Sequence, residues 1–443
     1  MSPTRREFLQ ATGAVAAGAA LGVTALEAQA PRRRYAVVGT GVRAIGMWGR
    51  ALRENFSDRL EFVGLCDINP RRVEIARAAM GVSCPTFTDF DRMCDTARPD
   101  LLMVTTVDAY HADYIVRALD RGIDVITEKP MVIDEAQCRK VLEAERRNNR
   151  KIVVAFNYRF APKHVKIKEV LQSGAIGQVT GVDFHWYLDT SHGADYFRRW
   201  HRLKEKGGSL WVHKATHHFD LINWWLDADP VEVMAFGELA HYGKKGPFRS
   251  TNCRPCGHKE KCSFYWDITE RESMKLYTEA EAEDGYLRDG CVFTEDVNIW
   301  DPMSATVRYS SNVLMSYSLN TFMPIEGYAL AFNGTKGRLD IRDYEQQPWQ
   351  VAEETEIYLT KNFGTREKIE IPKVEGGHGG GDQRLHELIF VKPANVPPYL
   401  ALPDSRAGAM SCLTGIAARK SVEEKRPITI GELGVPTFRP TYL

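Results

Sequence analysis

The sequence predicts an α/β fold: an N-terminal doubly wound parallel sheet of the Rossmann type, then an α+β domain with an open, mainly antiparallel sheet. Three observations predict it. An apolar run at 34–38 ends in Gly39-Thr40-Gly41 and leads into a helical pattern reaching about 55, which is strand, glycine turn, helix. Apolar runs and helical patterns then alternate as far as 156, as in a parallel sheet with crossover helices. Beyond 156, strand-like runs at 178–188, 305–309, 313–319 and 328–332 follow one another without regular helices between them.

The 443 residues suffice for two domains. Lys plus Arg equals Asp plus Glu, at 58 each. That balance excludes the basic footprint of a nucleic-acid binder. The 44% apolar content is that of an ordinary globular protein.

The N-terminus reads Arg5-Arg6-Glu7-Phe8-Leu9, then an Ala/Gly-rich run from Ala11 to Leu26, then Ala28-Gln29-Ala30. Paired arginines, a weakly apolar core and small residues at a cleavage position, in this order, resemble a twin-arginine export signal. Residues 1–30 are therefore assigned to the signal. The expected partner is the twin-arginine translocase, and the destination is the periplasm or the medium. No membrane anchor is expected in the mature form.

In the first domain, Gly39 allows a tight turn and Gly41 a close backbone approach to a pyrophosphate. Ala44 keeps the following helix near its strand, and Val42 and Arg43 lie at the helix start, where free N–H groups hold phosphates. The next run, 60–66, ends at Asp67. An acid there is placed for the ribose hydroxyls of NAD. Arg71 and Arg72 follow and suit a 2′-phosphate, so NADP stays open. Strands are expected at 100–105, 123–127 and 151–156, and helices at 109–121 and 134–147. Thr105 and Thr106 close a strand at its carboxyl end, where ligands bind in such sheets. His111 opens the helix beyond and joins the cofactor-binding candidates.

Glu128-Lys129-Pro130, Asn157-Tyr158-Arg159-Phe160 and Gly174-Ala175-Ile176-Gly177-Gln178-Val179 together resemble the Gfo/Idh/MocA family of sugar and cyclitol oxidoreductases. The likeness resumes at Gly334-Thr335-Lys336-Gly337 and around Ala407 to Lys420. It implies a nicotinamide-binding domain over 31–156 and a catalytic, substrate and oligomerisation domain over 157–443. It implies that Glu128 and Lys129 lie at the cofactor, with Lys129 between nicotinamide and substrate. It implies Asn157 and Arg159 near the substrate, and a homodimer or homotetramer built on the outer face of the second sheet.

The family's catalytic helix reads G-G-G and then D-x-G-x-H-x-x-D. Here it is Gly207-Gly208-Ser209-Leu210-Trp211-Val212-His213-Lys214-Ala215-Thr216-His217-His218-Phe219-Asp220. His217 and Asp220 match. His213 replaces the aspartate, a departure from the family's scheme. His213, His217 and Asp220 share one helix face at i, i+4 and i+7. The two histidines suit acid–base work; on spacing alone they also suit a core beside Trp211, Trp224 and Trp225. Lys129, His217 and His213 are the catalytic candidates. Tyr187, Asp189, His192, Trp200 and His201 follow a strand and suit sugar contacts. The loop 376–382 adds His378 and Asp382, and the substrate candidates are Asn157, Arg159, Tyr187, His192, Asp220 and His378.

Five of nine cysteines are scattered, as buried small hydrophobes are. Cys253, Cys256, Cys262 and Cys291 concentrate in an insertion at about 241–291. The spacing suits a structural zinc tetrathiolate. An iron–sulfur cluster and two disulfides are the alternatives.

The expected reaction is NAD(P)-dependent oxidation of a secondary hydroxyl on a small carbohydrate, cyclitol or glycoside. Outside the cytoplasm no nicotinamide pool recycles the coenzyme, so a retained cofactor is expected. A redox-neutral NAD-dependent glycosidase, which oxidises C3, eliminates, hydrates and reduces again, is the alternative. A sugar-binding protein with a relic Rossmann domain is a third reading, opposed by the intact glycines and Lys129.

Overall fold

The computed structural model describes residues 31–350, 354–372 and 377–436. The signal assigned to 1–30 and Gly376 of the glycine loop lie outside them. β1 (Arg33–Val38) runs through the middle of the first sheet, and Tyr35 to Val38 are buried. It pairs in parallel with β2 (Leu60–Cys66) on one side and β4 (Leu101–Val104) on the other. β3 (Thr86–Phe87), β5 (Asp124–Thr127) and β6 (Ile152–Val154) complete the order β3-β2-β1-β4-β5-β6. Short all-apolar strands such as Leu101–Val104 need cover on both faces. The crossovers supply α1 (Ala51–Phe56), α2 (Pro70–Met80), α3 (Phe90–Ala97), α4 (His111–Leu119) and α5 (Glu135–Asn148). The glycine turn leads into α1 through a π-helical stretch, Ala44–Arg50.

The strand order reverses between β1 and β4, which opens a crevice at their carboxyl ends. Gly39 makes the crevice possible. Its φ is +84°, and a Cβ there would lie 2.6 Å from the Thr106 nitrogen. No other residue lets the turn after β1 touch the end of β4.

The second sheet has nine strands: β7 (Val179–Asp189), β8 (Pro230–Gly237), β9 (Pro302–Tyr309), β10 (Leu314–Met323), β11 (Glu326–Gly334), β12 (Gly337–Gln346), β13 (Thr355–Lys361), β14 (Arg366–Lys368) and β15 (Ile428–Thr429). Their order is β14-β13-β12-β11-β7-β10-β9-β8-β15. Only β7 and β10 pair in parallel, so the sheet is mainly antiparallel, as the sequence predicts. Alternation along β7 buries Val182, Phe184, Trp186 and Leu188 on the inner face.

Helices cover that inner face. They include α6 (Pro162–Gln172), α7 (Thr190–Arg198), α8 (Leu210–His213) and α9 (Ala215–Leu226). On α9, His218 stacks on Trp186 at 4.0 Å and bonds the Tyr317 hydroxyl at 2.8 Å. The insertion folds without long helices, around short turns that include α10 (Lys275–Thr278) and α11 (Glu281–Asp284). Its start is pinned where Asp301 accepts the N–H groups of Ala240, His241 and Tyr242. α12 (Gly381–His386) and the long α13 (Ser405–Glu424) follow. At Gly415 a Cβ would lie 2.2 Å from the Trp211 carbonyl oxygen, so α13 rests directly on the backbone of α8.

Candidate active site

Glu128 follows β5 directly, and its carboxylate accepts from Arg43 Nε at 2.6 Å and Trp48 Nε1 at 2.7 Å. Burial would raise this carboxyl, but Arg43 and the indole hold it below its ordinary value. Glu128 thus locks the glycine-turn helix to the end of β5. Lys129 follows and turns toward the second domain, where its Nζ donates to the His213 carbonyl at 2.9 Å. Burial pulls the Lys129 ammonium down to about 8, against the pull of Asp108 and Glu128.

His213 ends α8. Its Nδ1 shares a 2.5 Å hydrogen bond with Asp108, which follows β4. Burial pushes the Asp108 carboxyl up and the His213 imidazole down. His201 stands edge-on to His213 at 4.0 Å and stacks on Trp200 at 3.6 Å. The helix expected to carry His213 and His217 together breaks at Lys214, between α8 and α9. The histidines therefore face different partners. His217 stacks flat on Tyr158 at 4.2 Å, and burial keeps its ring neutral. Its Nδ1 is buried without a hydrogen-bond partner. Lys214 lies under the faces of Trp186 and Tyr158, at 5.0 and 6.0 Å.

Lys129, Asp108, His213 and His217 thus meet beside the carboxyl ends of β4 and β5. A half-buried amine near 8 can take a hydroxyl proton, and a neutral imidazole can bond the neighbouring oxygen. Gly41 fits a dinucleotide: a Cβ there would meet only the Tyr277 hydroxyl, at 3.4 Å. That room at the backbone is what a pyrophosphate needs, with the Tyr277 hydroxyl, which accepts the Val42 N–H at 3.3 Å, beside it.

Several expected residues are engaged elsewhere. Both Asp67 oxygens are occupied by protein donors: Thr40 backbone and hydroxyl at 2.8 and 3.0 Å, Asn69 N at 3.0 Å and Arg72 at 3.3 Å. Arg72 also pairs with Asp284 at 2.6 Å. Thr105 closes on the carbonyls of Val38 and Gly39, and Thr106 Oγ1 donates to Val107. His111 is buried and bridges the carbonyls of Pro130 and Thr106. Arg159 and Asp220 bind each other through two hydrogen bonds, 2.7 and 2.5 Å, and are buried. Their mutual pairing braces the segment after β6 against α9. Tyr187 is a correction. Odd–even alternation places it on the outer face with Tyr344, opposite Trp186.

His192 stays near the site, bonded to Glu326 at 3.0 Å and Tyr196 at 3.2 Å. Asn157 donates to His378 at 2.9 Å and to Asp382, and Asp382 reaches Arg43 at 3.8 Å. Sequence reasoning missed Asp108, Tyr158, Lys214 and Tyr196 as site residues. Tyr158 had a signal, its place inside the Asn157–Phe160 segment; Asp108 had none.

The four clustered cysteines line one small pocket with Arg198 and Phe264. They are free thiols, as are the five scattered ones, which are all buried.

Fold and site together define an NAD-binding oxidoreductase. Residues 33–156 match the oxidoreductase family's NAD-binding Rossmann fold, and 168–430 its C-terminal α/β domain. The chain belongs to the Gfo/Idh/MocA oxidoreductase family. Residues 2–22 match a twin-arginine translocation signal sequence. YteT of Bacillus subtilis (strain 168), named among the oxidoreductases, is 40% identical over 416 residues, spanning 89% of this chain and 97% of that protein. An inositol 2-dehydrogenase of Salmonella typhimurium (strain LT2) is 28% identical over 201 residues, 44% of this chain and 56% of that protein. The aldose–aldose oxidoreductase of Caulobacter crescentus superposes with a TM-score of 0.60 at 16% identity, over 90% of this chain and all of that one. No helix among the described residues is long and apolar enough to cross a membrane.

Proposed function

We propose that this protein is an exported oxidoreductase that moves a hydride between a retained nicotinamide and a secondary hydroxyl of a sugar, cyclitol or glycoside. One observation carries the reading: Lys129, a half-buried amine held near 8, projects from the end of β5 onto His213 and beside Asp108. NAD supplies the hydride acceptor when bound. Lys129 takes the hydroxyl proton. Asp108 orients His213 and shares its proton, and His217 holds an adjacent hydroxyl. The helix start after Gly41 holds the pyrophosphate.

NAD is favoured over NADP because Arg72 is neutralised by Asp67 and Asp284. Retention is supported by the insertion, which lies on the cofactor crevice. Val42 N donates to the Tyr277 hydroxyl at 3.3 Å, Asn69 Nδ2 to the Ala280 carbonyl at 2.9 Å, and Arg71 pairs with Glu279. Export to the periplasm or the medium makes such retention useful, and the aldose–aldose relative suits a cycle that returns the cofactor to its starting state. The outer sheet face, where Phe236 and Leu314 are exposed, suits a homodimer or homotetramer.

The test is to add a panel of sugars, cyclitols and aryl glycosides to the mature protein and follow the reduced-nicotinamide band. A band that rises and then falls only with a second sugar or ketone supports the oxidoreductase. A band that rises and returns with release of aglycone selects the glycosidase. No change with any substrate refutes both.

A further inference from the structure

The four clustered cysteines do more than lie near one another. Three of them accept a backbone N–H from two residues on. His258 N lies 3.4 Å from the Cys256 sulfur, Phe293 N lies 3.4 Å from the Cys291 sulfur, and Cys262 is bonded by the backbone of Phe264. The fourth, Cys253, accepts from the buried Arg198 guanidinium at 3.1 Å. N–H groups aimed at sulfur are the outer hydrogen bonds that metal-bound thiolates accept, and here they orient the four sulfurs around one pocket.

Spacing decides what size of centre fits. Zn–S bonds of about 2.3 Å place tetrahedral thiolates roughly 3.8 Å apart. Among the described residues, only Asp189, His192 and Glu326 bring three potential ligand atoms within 4.8 Å of one another. No three of the four thiols are that close, although all four line one pocket. A cluster of several irons spreads its four cysteines over a larger tetrahedron than a single ion does.

The cysteine knuckle is tied to the strap over the cofactor crevice. Arg254, between Cys253 and Cys256, forks onto Glu281 of α11 at 2.9 and 2.7 Å and onto Asp289 at 3.1 and 3.0 Å. α11 also carries Asp284, which grips Arg72 of the nucleotide-binding domain. A continuous path therefore runs from the four sulfurs through Arg254 and α11 to Arg72 and Asp67.

We propose that Cys253, Cys256, Cys262 and Cys291 hold an iron–sulfur cluster that anchors the strap closing the dinucleotide crevice. Its role is positional, and no electron passes through it in the scheme above. The strap half of the proposal rests on the reading that the crevice holds NAD; the metal half does not.

The test uses the full mature chain purified without oxygen. Iron, acid-labile sulfide and zinc are counted per chain, and free thiols are titrated after denaturation. Iron and sulfide in matching amounts, about four of each for a cubane, support the cluster. Zinc at one per chain without sulfide overturns it. Thiols that appear only after reduction, with no metal, overturn any metal centre. Two variants then read the coupling. Cys262→Ser is expected to lose the cluster and release NAD faster. Arg254→Ala is expected to keep the cluster yet release NAD about tenfold faster, because the half-buried fork to the strap is gone. Unchanged release in Arg254→Ala, with the cluster intact, overturns the anchoring role. If neither chain holds NAD, the retained-cofactor reading fails and the metal count still stands.

Discussion

Lys129 Nζ donates to the backbone carbonyl of His213 across 2.9 Å, joining the turn after β5 of the nucleotide-binding domain to α8 of the substrate domain. The contact places the amine between the two halves of the site. Partial burial between them pulls the Lys129 ammonium down to about 8.

Lys129→Met is therefore expected to lower kcat by about 10²–10⁴-fold, the usual worth of a positioned base. Bound nucleotide should remain, since Lys129 lies outside the turn after β1 proposed to hold the phosphates. Loss of nucleotide with full activity per remaining holoenzyme would contradict the assignment.

The pH dependence has a definite sign. Below about 8 Lys129 is mostly an ammonium with no free electron pair. Hydroxyl oxidation should slow about tenfold per unit as pH falls below that value, and carbonyl reduction should show the opposite limb. An oxidation rate that is flat from 6 to about 9 would remove Lys129 as the base.

Asp108→Asn keeps the shape of the Asp108–His213 bond but removes its carboxyl. It should reduce kcat by about 10²-fold or more while leaving the melting temperature nearly unchanged. A large fall in stability with kcat preserved would make the pair structural.

Ser209 has φ +74° and ψ 175° at the start of α8, a region that costs a side chain about 1–3 kcal/mol. Ser209→Gly relieves that strain at an entropic cost of roughly 0.5–1 kcal/mol in the unfolded chain. Thermal unfolding should show a modest gain in stability. A lower melting temperature would mean that the hydroxyl matters more than the backbone.

Arg159 and Asp220 form a buried fork, so removing one partner strands the other. Asp220→Ala should cost about 3–5 kcal/mol in denaturant unfolding, and Arg159→Ala about as much. The double variant should cost far less than the sum. Additive losses would mean that the two residues act separately.

Much of this was legible in the sequence, because local pattern carried it. The strand, glycine turn and helix at 34–55 and the Glu128-Lys129-Pro130 turn are contiguous signals. β3 was missed because two residues make no periodic pattern. Asp108 was missed because its partner His213 lies 105 residues away and no motif marks the loop between. The helix break at Lys214 was invisible to a reading based on helical spacing. Tyr187 was misassigned although period-two alternation with Trp186 already placed it on the other face. The strap over the cofactor crevice depends on contacts such as Val42 with Tyr277, 235 residues apart. Only the folded chain brings those together.

The most direct measurement is the nucleotide content of the mature protein, purified and dialysed without added cofactor, then denatured and assayed for NAD and NADH. The account predicts close to one nucleotide per chain surviving dialysis, and its loss in Tyr277→Ala. A wild-type protein that emerges empty, yet turns over when NAD is supplied, would contradict retention and leave an ordinary exchanging dehydrogenase.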